Sequence, residues 1–215
     1  MSIVNKKPMI KESVGALYYG FNTPTESGEY NPETYEEEVV QSKVVKNINT
    51  TENNESTMIR ASGEVYETVN ANEYIDMAVE VIAIDPKDLA RMRADTIGEG
   101  GLNKSGSAKK RPFFAFGKVK KLLGNGVEYA WYPKCQLVEN TDDIATKEEN
   151  FSEQNDTVTI RAYAYNKAGD KKTWVNSQMS NFPAGLTEEQ FFSKPILEDA
   201  DLVAAMQPED EQEGA

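Results

Sequence analysis

Two segments alternate apolar and polar residues with a period of two, and that pattern commits much of the chain to half-buried β-strands. In residues 72–84, NEYIDMAVEVIAI, Ile75, Met77, Val79, Val81 and Ala83 fall on one face, and Tyr74, Asp76 and Glu80 on the other. In residues 156–166, DTVTIRAYAYN, Val158, Ile160, Ala162 and Ala164 oppose Thr157, Thr159, Arg161, Tyr163 and Tyr165. A one-residue slip would expose either apolar row, so the register of such strands is tightly specified.

Further strands are expected at 12–23, 39–48, 56–68, 111–119 and 125–138, with TWVNS pairing back after a turn. LGNG, residues 123–126, leads into the strand at 125–138 and is a hairpin signal. In 125–138, Val127, Tyr129, Trp131, Cys135 and Leu137 read as one face, and Pro133 in that row marks an edge or a bulge. Polar stretches at 22–38 and 47–56 read as loops. The period changes once in the middle of the chain. DPKDLARMRADTIG reads as a helix with Asp85 as N-cap, Pro86 in the first turn and Gly98 as the closing residue, with Leu89, Met92 and Ile97 on one face. The expected fold is mostly β (α+β): two packed antiparallel sheets forming a sandwich or barrel, flanked by one α-helix. Residues 1–180 form this unit. Residues 181–215 are a C-terminal extension, with a capping box at Thr187–Gln190, a short helix and an acidic, disordered end.

Composition narrows the chemistry. Histidine is absent, which removes histidine bases, histidine metal ligands and the usual nucleophile–histidine pairs. Cys135 is the single cysteine, so no intrachain disulfide or thiolate zinc site forms, and a buried hydrophobe is its expected role. Net charge is −13, which opposes general nucleic-acid binding. GEGGLNKS lacks the glycine before lysine that a phosphate loop needs, and it follows a helix. NTDDIATKEE lacks the spacing of a calcium loop. No catalytic, cofactor or metal residue is singled out, and none of the 36 acids stands out as a catalytic pair. The N-terminal residues hold no leader-like apolar run, and no stretch approaches the ~18 apolar residues of a span, so no membrane anchor is expected.

The segment KKRPFFAFGKVKK, 109–121, sets three phenylalanines between basic clusters. It reads as a strand with one face in the core and the other at a subunit contact. Residues 104–121 carry seven basic side chains and no acid, whereas 26–38 and the C-terminus are acidic. That layout suits a basic patch on one copy meeting an acidic loop on the next.

Taken in order, these pieces resemble the major tail proteins of long-tailed, siphovirus-type bacteriophages. The resemblance rests on ALYYGFNT (16–23), the stretch 61–102 with its strand pair and short helix, RPFFAFGKVKK, and 128–166 with its YxxYxC, TKE and TxTxxA pieces. It spans roughly residues 10–176, while 22–38 and the segment after about 180 depart from the pattern. The resemblance implies a tail-tube subunit that stacks in hexameric rings around a tape-measure protein, meets tail-terminator and tail-tip proteins, and lets DNA pass without specific binding. It implies a virion protein made in the host cytoplasm, with no enzymatic activity and no cofactor. Expected subunit-contact residues are Arg111, Phe113, Lys118, Lys120, Arg161, Tyr163 and Tyr165, with the lysines away from the lumen. The alternative is another β-sandwich tail or baseplate component, or a soluble binding module.

Overall fold

A computed structural model describes residues 3, 5–106, 109–142, 144, 146 and 155–207. The strands are β1 (Lys11–Phe21), β2 (Val40–Ser42), β3 (Val45–Ala61), β4 (Glu64–Val81), β5 (Thr96–Ile97), β6 (Asn103–Lys104), β7 (Phe114–Leu122), β8 (Gly126–Thr141), β9 (Asp156–Ala162) and β10 (Thr173–Asn176). The helices are α1 (Pro86–Met92), α2 (Glu188–Phe192) and α3 (Asp199–Ala205). An eight-stranded sheet runs in the order β2-β1-β7-β8-β9-β4-β3, with β10 paired to β8, and β5-β6 form a separate small hairpin. Every pairing is antiparallel. The expected mostly-β architecture is therefore present.

β2 and β3 end opposite margins of this sheet, yet only Lys43 and Val44 separate them in the chain. The sheet must therefore curl until its margins approach. At the crossing the Ile82 N–H donates to the Val44 carbonyl at 2.9 Å. No ladder among the described residues closes the curl into a barrel, so the two expected layers are walls of one continuous sheet.

The concave face holds the main core. Ile75, Met77, Val79 and Val81 meet Val158, Ile160 and Ala162 across the ladder, as the alternation predicts. Leu17, Tyr19, Phe21, Phe114 and Phe116 complete it. A second core covers the convex face of β1, β7 and β8. There Ala16, Tyr18, Ala115, Val119, Tyr129 and Trp131 pack under Leu186, Phe191, Phe192 and Ile196. Strands apolar on both faces are the mark of a sheet covered on both sides.

The second core corrects the reading of KKRPFFAFGKVKK. Phe114 and Phe116 do fill the main core, but Ala115 and Val119 on the other face are buried by the chain's own C-terminal segment. The Phe192 ring stacks on Tyr18 with centroids 4.0 Å apart and planes 2° from parallel. The Trp131 indole N–H donates to the Phe191 carbonyl at 2.9 Å. Gly117 makes room for this: a Cβ there would lie 2.7 Å from Phe192 Cε1. The capping box at Thr187–Gln190 forms as read.

Three further readings change. β3 runs through NTTENNES without a break, so residues 47–56 are strand and the turn is Ser62–Gly63, both left-handed at φ 54° and 84°. α1 has its Asp85 cap and first-turn Pro86, but it stops at Met92, with Ala94 in the left-handed conformation at φ 61°. Gly98 does not close it, and Ile97 lies exposed in β5 rather than on the helix face. Pro133 does mark a bulge: Phe114 pairs with Cys135 and Phe116 with Tyr132. The extra residue flips the pleat. Tyr129 and Trp131 consequently face the second core while Cys135 and Leu137 face the first, so they do not share a face.

Candidate assembly surfaces

Cys135 is fully buried, its thiol donates to the Tyr132 carbonyl at 3.2 Å, and burial pushes its pKa well up. Among the described residues no group of His, Cys, Asp or Glu is arranged to hold a metal ion. GEGGLNKS spans the β5–β6 turn, where the Gly98 N–H donates to the Leu102 carbonyl at 3.2 Å. Half of NTDDIATKEE (143, 145 and 147–149) lies outside the described residues. No described helix is long and apolar enough to cross a membrane.

The feature that stands free of the body is the β3–β4 hairpin. β4 pairs with β9 only from Ile75 to Val81, whereas β3 and β4 pair with each other out to Ala61 and Glu64. Beyond the Glu52–Ile75 pair the ribbon is two strands wide, and the nine further residues of β3, 53–61, at ~3.3 Å each make an arm of about 30 Å. Both outer edges of this arm lack a strand partner among the described residues. Met58, Ile59, Val65 and Tyr66 are exposed on it, Tyr66 at 76%. An isolated two-stranded ribbon is marginal in water. Unpaired edges with apolar side chains are what strand addition or subunit packing uses.

The sequence-selected contact residues fall into three settings. Arg161 lies on the face of β9 away from the main core, where its guanidinium clamps Asp76 at 2.7 and 2.9 Å and covers the Tyr74 ring at 3.8 Å. Arg111, Phe113, Tyr163 and Tyr165 lie beside the acidic 22–38 loop. Phe113 makes edge contacts with Tyr30 and Tyr163 at 5.7 and 6.4 Å. Arg111 donates to the Val138 carbonyl at 2.7 Å, and the Tyr165 hydroxyl to the Leu197 carbonyl at 3.2 Å. This half-buried patch ties the loop down. Tyr35 donates to the Pro133 carbonyl at 3.0 Å, and Asn22 donates to the carbonyls of Asn31 and Thr34.

Lys118 and Lys120 point instead to the concave side of β7. There they line a cleft of about 370 Å³ with Lys11, Lys46 and Thr50. Lys118 donates to the Thr50 hydroxyl at 2.6 Å, and its ammonium lies 5.2 Å from the Tyr132 ring centroid. Burial, reinforced by Lys172, Lys120 and Lys11, brings its pKa down to about 8. Lys120 meets Glu128 at 2.5 Å, and Glu128 also accepts from the Asn176 amide at 2.9 Å. Burial pushes Glu128 up, but these partners outweigh it and hold its carboxyl below the usual range. Sequence periodicity alone did not reveal the cleft, because Lys11 and Lys46 reach it from β1 and β3.

No protein-family model matches the chain, and no curated protein matches it. Among solved structures, a chain in "Cryo-EM structure of the anti-feeding prophage (AFP) baseplate, 6-fold symmetrised" is 10% identical, with 80% of this chain and 97% of that one covered and a TM-score of 0.42.

Proposed function

We propose that this chain is a structural subunit of a phage tail tube, self-assembling through head-to-tail contacts into stacked hexameric rings around a hollow conduit for DNA. The observation that carries the reading is the β3–β4 arm, whose unpaired edges and exposed Met58, Ile59, Val65 and Tyr66 need a protein partner. The sequence resemblance supplies the kind of assembly. A curled antiparallel sheet suits it, because a rigid wall can carry an arm to a neighbour. An acidic chain suits a DNA conduit, because each wall lysine would hold a phosphate. Arg111, Phe113, Arg161, Tyr163 and Tyr165 are proposed as contacts on the outer wall. Lys118 and Lys120 are proposed to act from the concave cleft. Tape-measure, terminator and tail-tip proteins are the proposed partners, the virion is the proposed location, and no catalytic role is proposed.

The test removes the arm and leaves the wall. Replacing residues 57–69 by a two-residue Asn-Gly turn joins the paired Ser56 and Asn70 and keeps every β4–β9 pair. The shortened protein is expected to fold with an unchanged thermal midpoint but to remain a monomer in sedimentation velocity at concentrations where the full chain forms rings or tubes. Unchanged assembly of the shortened protein refutes the role of the arm.

A further inference from the structure

The net charge of −13 hides two opposed ends. The cleft beside Lys118 is lined by Lys11, Lys46, Lys118 and Lys120, with Glu12 the carboxylate in its lining; Lys120 already pairs with Glu128 and Lys46 is engaged within the chain, which leaves Lys11 and Lys118 facing the cleft. It lies where β1 begins. A second cleft lies where β1 finishes, between the 22–38 loop and the α2–α3 connection. Its position is fixed by the Glu36 N–H, which donates to the Phe21 carbonyl at 2.9 Å, and by the Asn22–Tyr35 bridge. Glu33, Glu36, Glu37, Glu198 and Asp201 line that cleft, with Lys194 the one cation. Glu36 is occupied by Arg91, and Asp201 accepts from the Leu197 and Glu198 N–H groups. Glu33, Glu37 and Glu198 are exposed. The 11 residues of β1 separate the two ends, about 35 Å at ~3.3 Å per residue.

We infer that the basic cleft at the start of β1 receives the acidic end of β1 from a second copy, so that copies join head to tail along the strand direction. This rests on the tube reading above and names the surfaces that stack. Two different, complementary surfaces on one chain make a heterologous contact, and such a contact propagates into a column instead of closing a dimer. Burial and the neighbouring lysines already depress the Lys118 ammonium, with Glu128 the carboxylate attracting it, so an arriving carboxylate meets the combined charge of Lys118 and Lys11. A cation-lined cleft with apolar walls also concentrates that field.

The experiment reverses the exposed charges and spares the buried network. One full-length variant carries Lys11→Glu; the other carries Glu33→Lys and Glu37→Lys. Light scattering against protein concentration gives the critical concentration for assembly, at low and at high sodium chloride. The wild-type critical concentration is expected to rise with salt, because screening shortens the reach of charge to ~3 Å at 1 M. Each variant alone is expected to need at least roughly tenfold more protein, since like charges then face each other. Mixed in equal amounts, the two variants are expected to assemble as wild type does, because each one's reversed surface finds its complement on the other. Unchanged critical concentrations for both variants, with the wild type still forming tubes, overturn this inference and leave the tube reading standing. A wild type that never assembles at any salt overturns both.

Discussion

Phe192→Ala is the substitution that most directly probes the second core. The side chain is 2% exposed. It stacks on Tyr18 at 4.0 Å and touches Tyr129, Trp131 and Phe191 with centroids 5.6, 5.2 and 5.0 Å away. Truncating a buried phenylalanine costs about 3–5 kcal/mol, including the cavity left behind. The loop around α2 is short and able to collapse partly, whereas the strands beneath it are not, so ~4 kcal/mol is the expected loss. For a chain of this size that lowers the thermal midpoint by roughly 8–16 °C. Urea denaturation followed by tryptophan fluorescence is the assay, because Trp131 is fully buried under Phe192 and its emission reports the site. Val203→Ala, on an exposed helical position, is the control and is expected to change stability by less than ~0.5 kcal/mol. A loss below ~1 kcal/mol for Phe192→Ala, with Trp131 emission unchanged, refutes the claim that the C-terminal segment is part of the folded body.

Gly117→Ala is expected to cost ~1–3 kcal/mol by driving a methyl group into Phe192, and much less when combined with Phe192→Ala, so the double-mutant cycle reads the contact directly. Lys118 has a folded pKa of about 8 against an ordinary 10.5, so between those values the unfolded chain binds more protons and stability rises with pH. The stability of wild type relative to Lys118→Met is therefore expected to increase from pH 8 to pH 10, a comparison in which the tyrosines common to both proteins cancel; a flat difference contradicts the burial of this ammonium. Glu128→Gln leaves Lys120 without its counter-charge, and the wild-type advantage is expected to fade as pH drops below about 4.5, where the carboxylate that the folded state favours takes up a proton.

The parts of the fold legible in the sequence are those where burial is one-sided. Met77 and Val79 sit in a row flanked by Asp76 and Glu80, and period two places them without ambiguity. The β3–β4 arm was legible only in part: 56–68 reads as one strand, yet the chain turns back inside it at Ser62–Gly63. A ribbon that leaves the body has no buried face to impose alternation, so residues 53–56, the end of NTTENNES, carry the composition of a loop while their backbone is paired. The Pro133 bulge was legible as a local fault, but its consequence was not. One extra residue exchanges the faces of everything after it, and only the partner strand reveals where the exchange takes effect. The second core needed a partner far along the chain. Leu17-Tyr18-Tyr19 announces a strand buried on both faces, but nothing local ties Tyr18 to Phe192. The same holds for the proposed contact residues. Arg161 and Tyr163 are on the side away from the main core because β9 alternates, whereas the positions of Lys118 and Lys120 depend on how far the sheet curls toward β3.

Assembly itself is the claim on which the account turns, and electron microscopy tests it most directly. Purified full-length protein, concentrated at low salt and negatively stained, is expected to form hollow tubes of uniform width whose end views show six-fold rings. Particles of single-chain size at every concentration and salt, alone and with the tail-tip and tape-measure proteins added, contradict it.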